Sequence, residues 1–444
     1  MARRRRKRLP EGDFDASIES LSAEGRGVAH VDGKTLFLHG GLPGEQVRFR
    51  YTRRQKRHGE GIVTEVIEAS PDRVEPKCGH FGVCGGCGLQ HMASTAQLMA
   101  KQQALLDTLM HIGKVEPERV LAPLSNATTW GYRSKARLGV KYVAKKGRVL
   151  VGFRERGGSF VADLRRCEVL DERIGGLIGP LAELIGGLSI RDRVAQIEVA
   201  AGDADSVLIF RVLDEPSEAD LARLRAFAAA SGQHIYLQPG GPDSIVPLDE
   251  AARLYYDLPA WDLRLDFLPT DFTQVNIAMN RRMIALALDL LALQPDDRVL
   301  DLFCGLGNFT LPLARQAREV VGVEGDAGLV QRARDNASRN DIDNARFHVA
   351  NLYEPLQAEP WLNESFDKVL LDPPRSGARE ILAWLGRLAP RHILYVSCYP
   401  GTLARDAGEL VAKHGYRLAA AGVMDMFPHT GHVESIALFE RKEH

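Results

Sequence analysis

From about residue 270 onward, short apolar runs that end in Gly or Asp loops alternate with helical segments. RVLDLFCGLGNFTLPLARQA, EVVGVEGDAGLVQRARDNASRN, FDKVLLDPPRSG, HILYVSC and SIALFER follow one another in this way. Strands that alternate with helices of this length can bury both faces only as a parallel, doubly wound α/β sheet. That places one α/β domain over residues 263–444 and leaves more than half of the 444-residue chain for other units.

The earlier chain reads differently. Residues 1–10 form a charged tail, with six consecutive basic residues from Arg3 to Arg8 and no apolar face, and are expected to be disordered. Residues 11–69 read as five short strands (FDASIESLS, GVAHV, KTLFLHG, EQVRFRYTRR and GEGIVTEVIEA) separated by Gly-rich turns, the pattern of a small β-barrel. Residues 70–262 are β-rich with some helix; the segment 95–113 is strongly helical and is expected to pack on the α/β domain. No apolar run is long enough to span a bilayer, and the basic N-terminus is not followed by the apolar segment of a secretory signal. A cytoplasmic protein with no membrane association is therefore expected.

The net charge of −1 conceals an asymmetry. Residues 1–60 carry 14 Lys+Arg against 8 Asp+Glu, and residues 125–170 carry 11 against 3. Basic segments in an otherwise acidic chain suit a polyanion such as nucleic acid. Arg48, Phe49, Arg50, Tyr51, Arg53, Arg54, Lys56 and Arg57 share a strand and its turn, a pattern that could present cations to phosphates and rings to bases, or turn its rings inward. Six cysteines are too few for a disulfide scaffold, but Cys78, Cys84 and Cys87 lie within ten residues and Cys167 is remote. By spacing alone, such a set can bind a metal, zinc included.

Cys304-Gly305-Leu306-Gly307-Asn308 follows a buried strand and opens a helix. In a doubly wound sheet, ligands sit at the carboxyl ends of the strands. The next strand, EVVGVEGD, carries Glu324 near its end, where a carboxylate can accept both ribose hydroxyls. The loop lacks the third glycine of the dinucleotide fingerprint and the Lys-Ser/Thr of a P-loop. A nucleoside without a pyrophosphate, such as S-adenosylmethionine, fits this pattern better than NAD or ATP.

Three further residues carry chemistry. Asp372 is held by the stiff Pro373-Pro374 corner of LLDPPRSG. Cys398 ends another strand of the sheet. A thiolate there could add to C6 of a pyrimidine and make C5 nucleophilic, which calls for a lowered thiol pKa. Glu434, at the start of the last strand, could remove the C5 proton afterwards. Taken alone, Cys398 would read as an ordinary buried cysteine.

Together, DLFCGLGNFTL, DPPRSG, YVSC with Thr402 after it, and MDMFPHTGHVE resemble the RNA uracil-C5 methyltransferase family over nearly the whole chain. The resemblance implies a class I methyltransferase domain with Cys398 as nucleophile and Glu434 as proton acceptor. It also implies that Gln274, Phe303, Asn308, Glu324, Asn351 and Asp372 line the S-adenosylmethionine site. Tyr399 departs from the pattern, because the family usually has Asn after the cysteine. Residues 11–69 look like a TRAM domain, an OB-like RNA-binding barrel. Cys78, Cys84, Cys87 and Cys167 match the ligands of a [4Fe–4S] cluster in a small central iron–sulfur domain. Barrel plus cluster is similar to the members that methylate uridine 1939 of 23S rRNA, which makes 23S rRNA the expected partner and implies no obligate protein partner. The alternatives are the same chemistry on another rRNA or tRNA uridine, or a metal-stabilised RNA-binding protein without catalysis.

Overall fold

The computed structural model describes residues 9–22, 24–354 and 359–442. Most of the basic tail expected over residues 1–10 therefore lies outside the described residues. The chain divides into two compact units. The first contains the residues up to Lys101 together with Arg154–Ala162 and Phe427–His432; the second contains Gln102–Phe153, Asp163–Met426 and Val433–His444.

In the first unit, six strands pair in the order Phe14–Ser17, Gln46–Arg54, His58–Glu68, Lys34–His39, Gly27–Val31, Ser20–Leu21. The run FDASIESLS is thus two strands, bent at Ile18-Glu19, and its halves pair with opposite edges of the sheet. One continuous segment on both edges curls the sheet into a barrel. Ala16, Ile18, Ala29, Leu36, Leu38, Val47 and Phe49 fill its interior.

Period-two alternation decides which side chains face out. Phe49 is fully buried, and Tyr51 packs edge-on against it with ring centroids 5.0 Å apart. Phe49 therefore belongs to the core and offers no face for a base to stack on. The intervening cations face out, and most are paired: Arg48 with Asp15 and Glu65, Arg50 with Asp13, Arg53 with Glu60.

The second unit holds two larger sheets. A six-stranded sheet has the order Val246–Pro247, His234–Gln238, Ser206–Val212, Val194–Ala201, Lys135–Val143, Arg148–Gly152. The other contains β1 (Arg298–Leu302), β2 (Glu319–Glu324), β3 (Ala345–Val349), β4 (Lys368–Leu371), β5 (His392–Ser397), β6 (Tyr416–Met424) and β7 (Glu434–Arg441). Its order is β3-β2-β1-β4-β5-β7-β6, with Arg119–Val120 added beyond β6. Strands β1 to β5 are parallel, and β7 runs antiparallel to both β5 and β6. The order reverses between β1 and β4, which opens a crevice at their carboxyl ends.

Leu300, Val321, Val369, Ile393 and Phe439 lie in one fully buried core. Leu105 and Leu109 join it, and the turn at Gly113 sits tightly on the helix Pro400–Lys413. Among the described residues, no helix is long and apolar enough to cross a membrane.

Candidate active site

Strand β1 runs out into a loop stitched to β2. The amides of Phe303 and Cys304 both donate to the Val323 carbonyl, at 2.8 and 3.1 Å. Phe303 takes φ = 66°, a left-handed conformation that costs a bulky residue about 1–2 kcal/mol. Gly305 follows at φ = 55°. A methyl group placed on Gly305 would meet nothing within 4 Å, so this face of the loop lies open to a ligand.

Glu324 is fixed at the end of β2 by three backbone donors. One carboxylate oxygen accepts from Gly305 at 3.1 Å, and the other from Gly325 and Asp326 at 2.7 and 3.1 Å. Three of the carboxylate's roughly four acceptor sites are thus filled, and the oxygen bound by Gly305 keeps capacity for a hydroxyl. Asn351, exposed after β3, accepts from the Tyr353 amide at 3.1 Å and donates to Glu354 at 2.9 Å.

Asn308 is engaged differently. Its amide forms a reciprocal pair with Asn280 at 2.8 and 2.9 Å, and its oxygen also accepts from the Tyr256 hydroxyl at 2.9 Å. Most of its hydrogen-bonding capacity therefore holds the scaffold. Gln274 is half-buried in a loop whose next residue, Val275, receives both the amide and the hydroxyl of Ser134 through its carbonyl.

Tyr353 carried no motif signal. Its ring tilts over Phe303 with centroids 5.7 Å apart, and burial raises its hydroxyl while Ser376, beside the Pro-Pro corner, opposes that shift. Its position just past β3, at the carboxyl edge of a parallel sheet, was the only available clue.

The chemistry-bearing residues meet on neighbouring strands. The Asp372 amide reaches the Leu302 carbonyl at 3.3 Å, tying the end of β4 to β1. Ser397 pairs with Ser435 across the antiparallel β5–β7 ladder, and the Ser435 hydroxyl donates to the Ser397 carbonyl at 3.0 Å. Cys398 and Glu434 are the next residues past that pair, so they sit side by side. Glu434 is buried and Cys398 half-buried.

Burial, then the Glu434 and Asp372 charges, push the Cys398 thiol up to about 11, while Arg375 opposes them. The sequence led us to expect a lowered value. The shift is reversed because two carboxyls and poor solvation outweigh one guanidinium. Burial and then Asp372 also hold the Glu434 carboxyl well above its usual range, again against Arg375. Burial raises Asp372 to about 7. Cys304 is a different case: burial first, then Asp301 and Glu324, lift its thiol far above the usual value, which marks it as inert packing.

Cys78, Cys84 and Cys87 are half-buried in one loop of the first unit. The Cys78 amide donates to Gln90 at 3.1 Å, the Cys84 sulfur accepts from Gly86 at 3.4 Å, and Arg156 donates to the Cys87 carbonyl at 2.6 Å. Burial raises the Cys84 thiol, and Cys78 raises it further. Cys167 belongs to the second unit, where its amide donates to Gly175 at 2.9 Å. Among the described residues, no three His, Cys, Asp or Glu side chains are gathered closely enough to hold a metal ion.

The chain was compared with known proteins. The tRNA (Uracil-5-)-methyltransferase family profile matches residues 257–442, and the TRAM domain profile matches residues 13–64. The chain is 57% identical over 441 residues to the 23S rRNA (uracil(1939)-C(5))-methyltransferase RlmD of Alkalilimnicola ehrlichii, covering 99% of each. It is 53% identical to the protein of the same name from Alcanivorax borkumensis, again covering 99% of each. Its fold is similar to that of the Pyrococcus abyssi tRNA (uracil-54, C5)-methyltransferase in complex with S-adenosyl-L-homocysteine. There the TM-score is 0.72 at 24% identity, over 96% of this chain and 100% of that one. That likeness shows the class I methyltransferase fold.

Proposed function

This chain belongs to the 23S rRNA (uracil-C5)-methyltransferase family, and on that premise we propose that it methylates C5 of uridine 1939 in 23S rRNA, with S-adenosylmethionine as donor, Cys398 as nucleophile and Glu434 as base. Full-length identity above half to relatives of that name carries the reading of the reaction. The register that sets Cys398 beside Glu434 supports the assignment of roles.

Bound S-adenosylmethionine supplies an electrophilic methyl group on a sulfonium. The open face at Gly305 and the anchored carboxylate of Glu324 suit a nucleoside, and Gln274, Phe303, Asn308, Asn351 and Asp372 complete the proposed lining. In this scheme the Cys398 thiolate forms a bond to C6 of the uracil, and the C5–C6 π electrons become an enolate. C5 takes the methyl group as its bond to sulfur breaks, which leaves a neutral thioether. Glu434 then accepts the C5 proton, the C5–C6 double bond returns, and the sulfur leaves as thiolate. Arg375 opposes the upward shifts of both Cys398 and Glu434, so it favours the two charged forms the cycle needs.

One consequence is a pH profile. Because the Cys398 thiol is held at about 11, little thiolate exists in the free protein near neutrality. kcat/KM for RNA reports the free enzyme and should climb roughly tenfold per pH unit from about 7 to 9. A flat profile across that interval would mean that the thiol ionises far lower. Mapping 5-methyluridine in 23S rRNA and tRNA from cells lacking the gene tests the function itself. The mark should vanish at position 1939 alone; its loss from another uridine would redirect the substrate, and no loss would overturn the activity.

We further propose that Cys78, Cys84, Cys87 and Cys167 hold a [4Fe–4S] cluster. The reading rests on the cysteine spacing and the family resemblance. Burial lowers the Arg156 guanidinium, and the neighbouring Cys84 and Cys87 oppose that shift, so an anionic cluster there would suit it. Anaerobically purified protein should be brown and contain iron. Colourless, fully active protein with stoichiometric zinc would refute the iron assignment.

A further inference from the structure

Within the first unit, a cleft of about 440 Å³ opens between the barrel strand His58–Glu68 and the loop around Arg73–Gly82. Its rim carries two large apolar side chains left exposed, Ile62 at 40% and Val74 at 42%. Phe81 lines it, with the Arg156 guanidinium 5.3 Å from the ring centroid on one side and the His91 ring 5.2 Å away on another. His91 also lines the cleft and is only 2% exposed. Neither of its ring nitrogens has a hydrogen-bond partner among the described residues.

That last feature is uncommon, because buried polar side chains in folded proteins are nearly always paired. Burial holds His91 at about 4, so the imidazole is neutral near pH 7 and offers one donor and one acceptor. Of the cleft's two guanidinium groups, Arg73 is already neutralised by an ion pair. Arg73 is bound by both oxygens of Glu45 and by the Gly40 carbonyl, and Arg156 donates to Cys87. A phosphate would find no free pair of charges. A flat ring with apolar faces and a hydrogen-bonding edge would match the walls and give one His91 nitrogen a partner. Nucleobases have that chemistry, and stacking on an aromatic side chain is how single-stranded RNA is commonly held.

We propose that this cleft is a docking subsite for one unstacked nucleotide of the RNA substrate, its base packed against Phe81 and its hydrogen-bonding edge turned to His91. The inference rests on the reading of the chain as an RNA methyltransferase and deepens it. It relocates the stacking surface from the barrel strand to the wall of this cleft.

Two variants test it, with a 23S rRNA fragment carrying the target uridine as probe. Val74→Trp fills the cleft from an exposed rim position, and His91→Phe keeps a ring while removing both nitrogens. Val74→Trp should weaken RNA binding roughly tenfold. The slope of log K against log salt should stay unchanged, because no phosphate contact is lost. His91→Phe should weaken binding severalfold without lowering the melting temperature, since it removes two unpaired buried nitrogens. S-adenosylmethionine affinity should be unchanged in both. A salt slope reduced by about one would overturn the base reading in favour of a phosphate contact. Wild-type RNA affinity in both variants, with methylation of the fragment intact, would refute the subsite alone. A wild-type protein that neither binds nor methylates the fragment would overturn the enzymatic reading and the subsite with it.

Discussion

Cys398→Ala should abolish methyl transfer, and Glu434→Gln should instead stall with the RNA attached. Without addition of the thiolate to C6, C5 of uracil is too poor a nucleophile to take a methyl group, so the first variant has no route to product. Its cofactor affinity should survive, because Glu324 and the Gly305 loop hold each other through contacts that do not involve Cys398. Addition and methyl transfer both precede proton removal. Glu434→Gln should therefore accumulate a covalent adduct carrying the transferred methyl group, visible as a protein–RNA band in a denaturing gel. The substitution is also gentle. Glu434 is buried and held well above the normal carboxyl range, so its surroundings already disfavour the charged form, and an amide of the same shape replaces it. Turnover by Cys398→Ala would show that the nucleophile is misassigned. Cys304 would be a poor substitute, since it is 4% exposed and its thiol is raised by burial and by Asp301. Near-normal turnover by Glu434→Gln without an adduct would move the base elsewhere.

The α/β domain was legible because each of its signals is local. Apolar runs closed by Gly or Asp loops mark β1, β2, β4 and β5, and the residues at their ends are where a parallel sheet exposes a site. The pairing of Cys398 with Glu434 required one further fact, the antiparallel insertion of β7 between β5 and β6, which no local pattern announces. The same limit explains the thiol. A lowered pKa follows from the chemistry wanted of Cys398. The raised one follows from neighbours supplied by β4 and β7, which the sequence keeps far apart. The barrel strand shows a third kind of miss. Arg48, Arg50 and Arg53 look like an open cationic face until Asp13, Asp15, Glu60 and Glu65 arrive from adjoining strands and the chain before them. Phe49 lies on the opposite face of the same pleat, where alternation sends it into the core.

Gly377→Ala should lower the rate of methyl transfer by roughly 100-fold while leaving the fold intact, an effect that comes from loop position alone. The loop Pro373–Ala378 carries Arg375, a cation that opposes the upward shifts of both Cys398 and Glu434. Helix Pro400–Lys413 clamps it at three successive points. Thr402 donates to the Arg375 carbonyl at 3.3 Å, Arg405 donates to the Ser376 carbonyl at 3.0 Å, and the Ala378 amide donates to Asp406 at 2.9 Å. Asp406 is fully buried and is itself fixed by the Tyr395 hydroxyl and the Arg405 side chain, both at 2.7 Å. Gly377 lies in the middle of the clamp at φ = 81°. A Cβ there would fall 2.6 Å from the Arg405 guanidinium, 2.7 Å from the Asp406 carboxylate and 3.0 Å from the Thr402 side chain. Two of those atoms are held by the very bonds that fix the loop, so the loop must yield, and Arg375 moves with it. With that charge displaced, the Cys398 thiol should become still harder to ionise. The rise of kcat/KM with pH should then shift to higher pH, a readout that simple destabilisation would not move. Single-turnover transfer of a radiolabelled methyl group across a pH series measures both quantities. A Gly377→Ala protein within about threefold of wild type, with an unshifted profile, would show that the clamp does not set the position of Arg375.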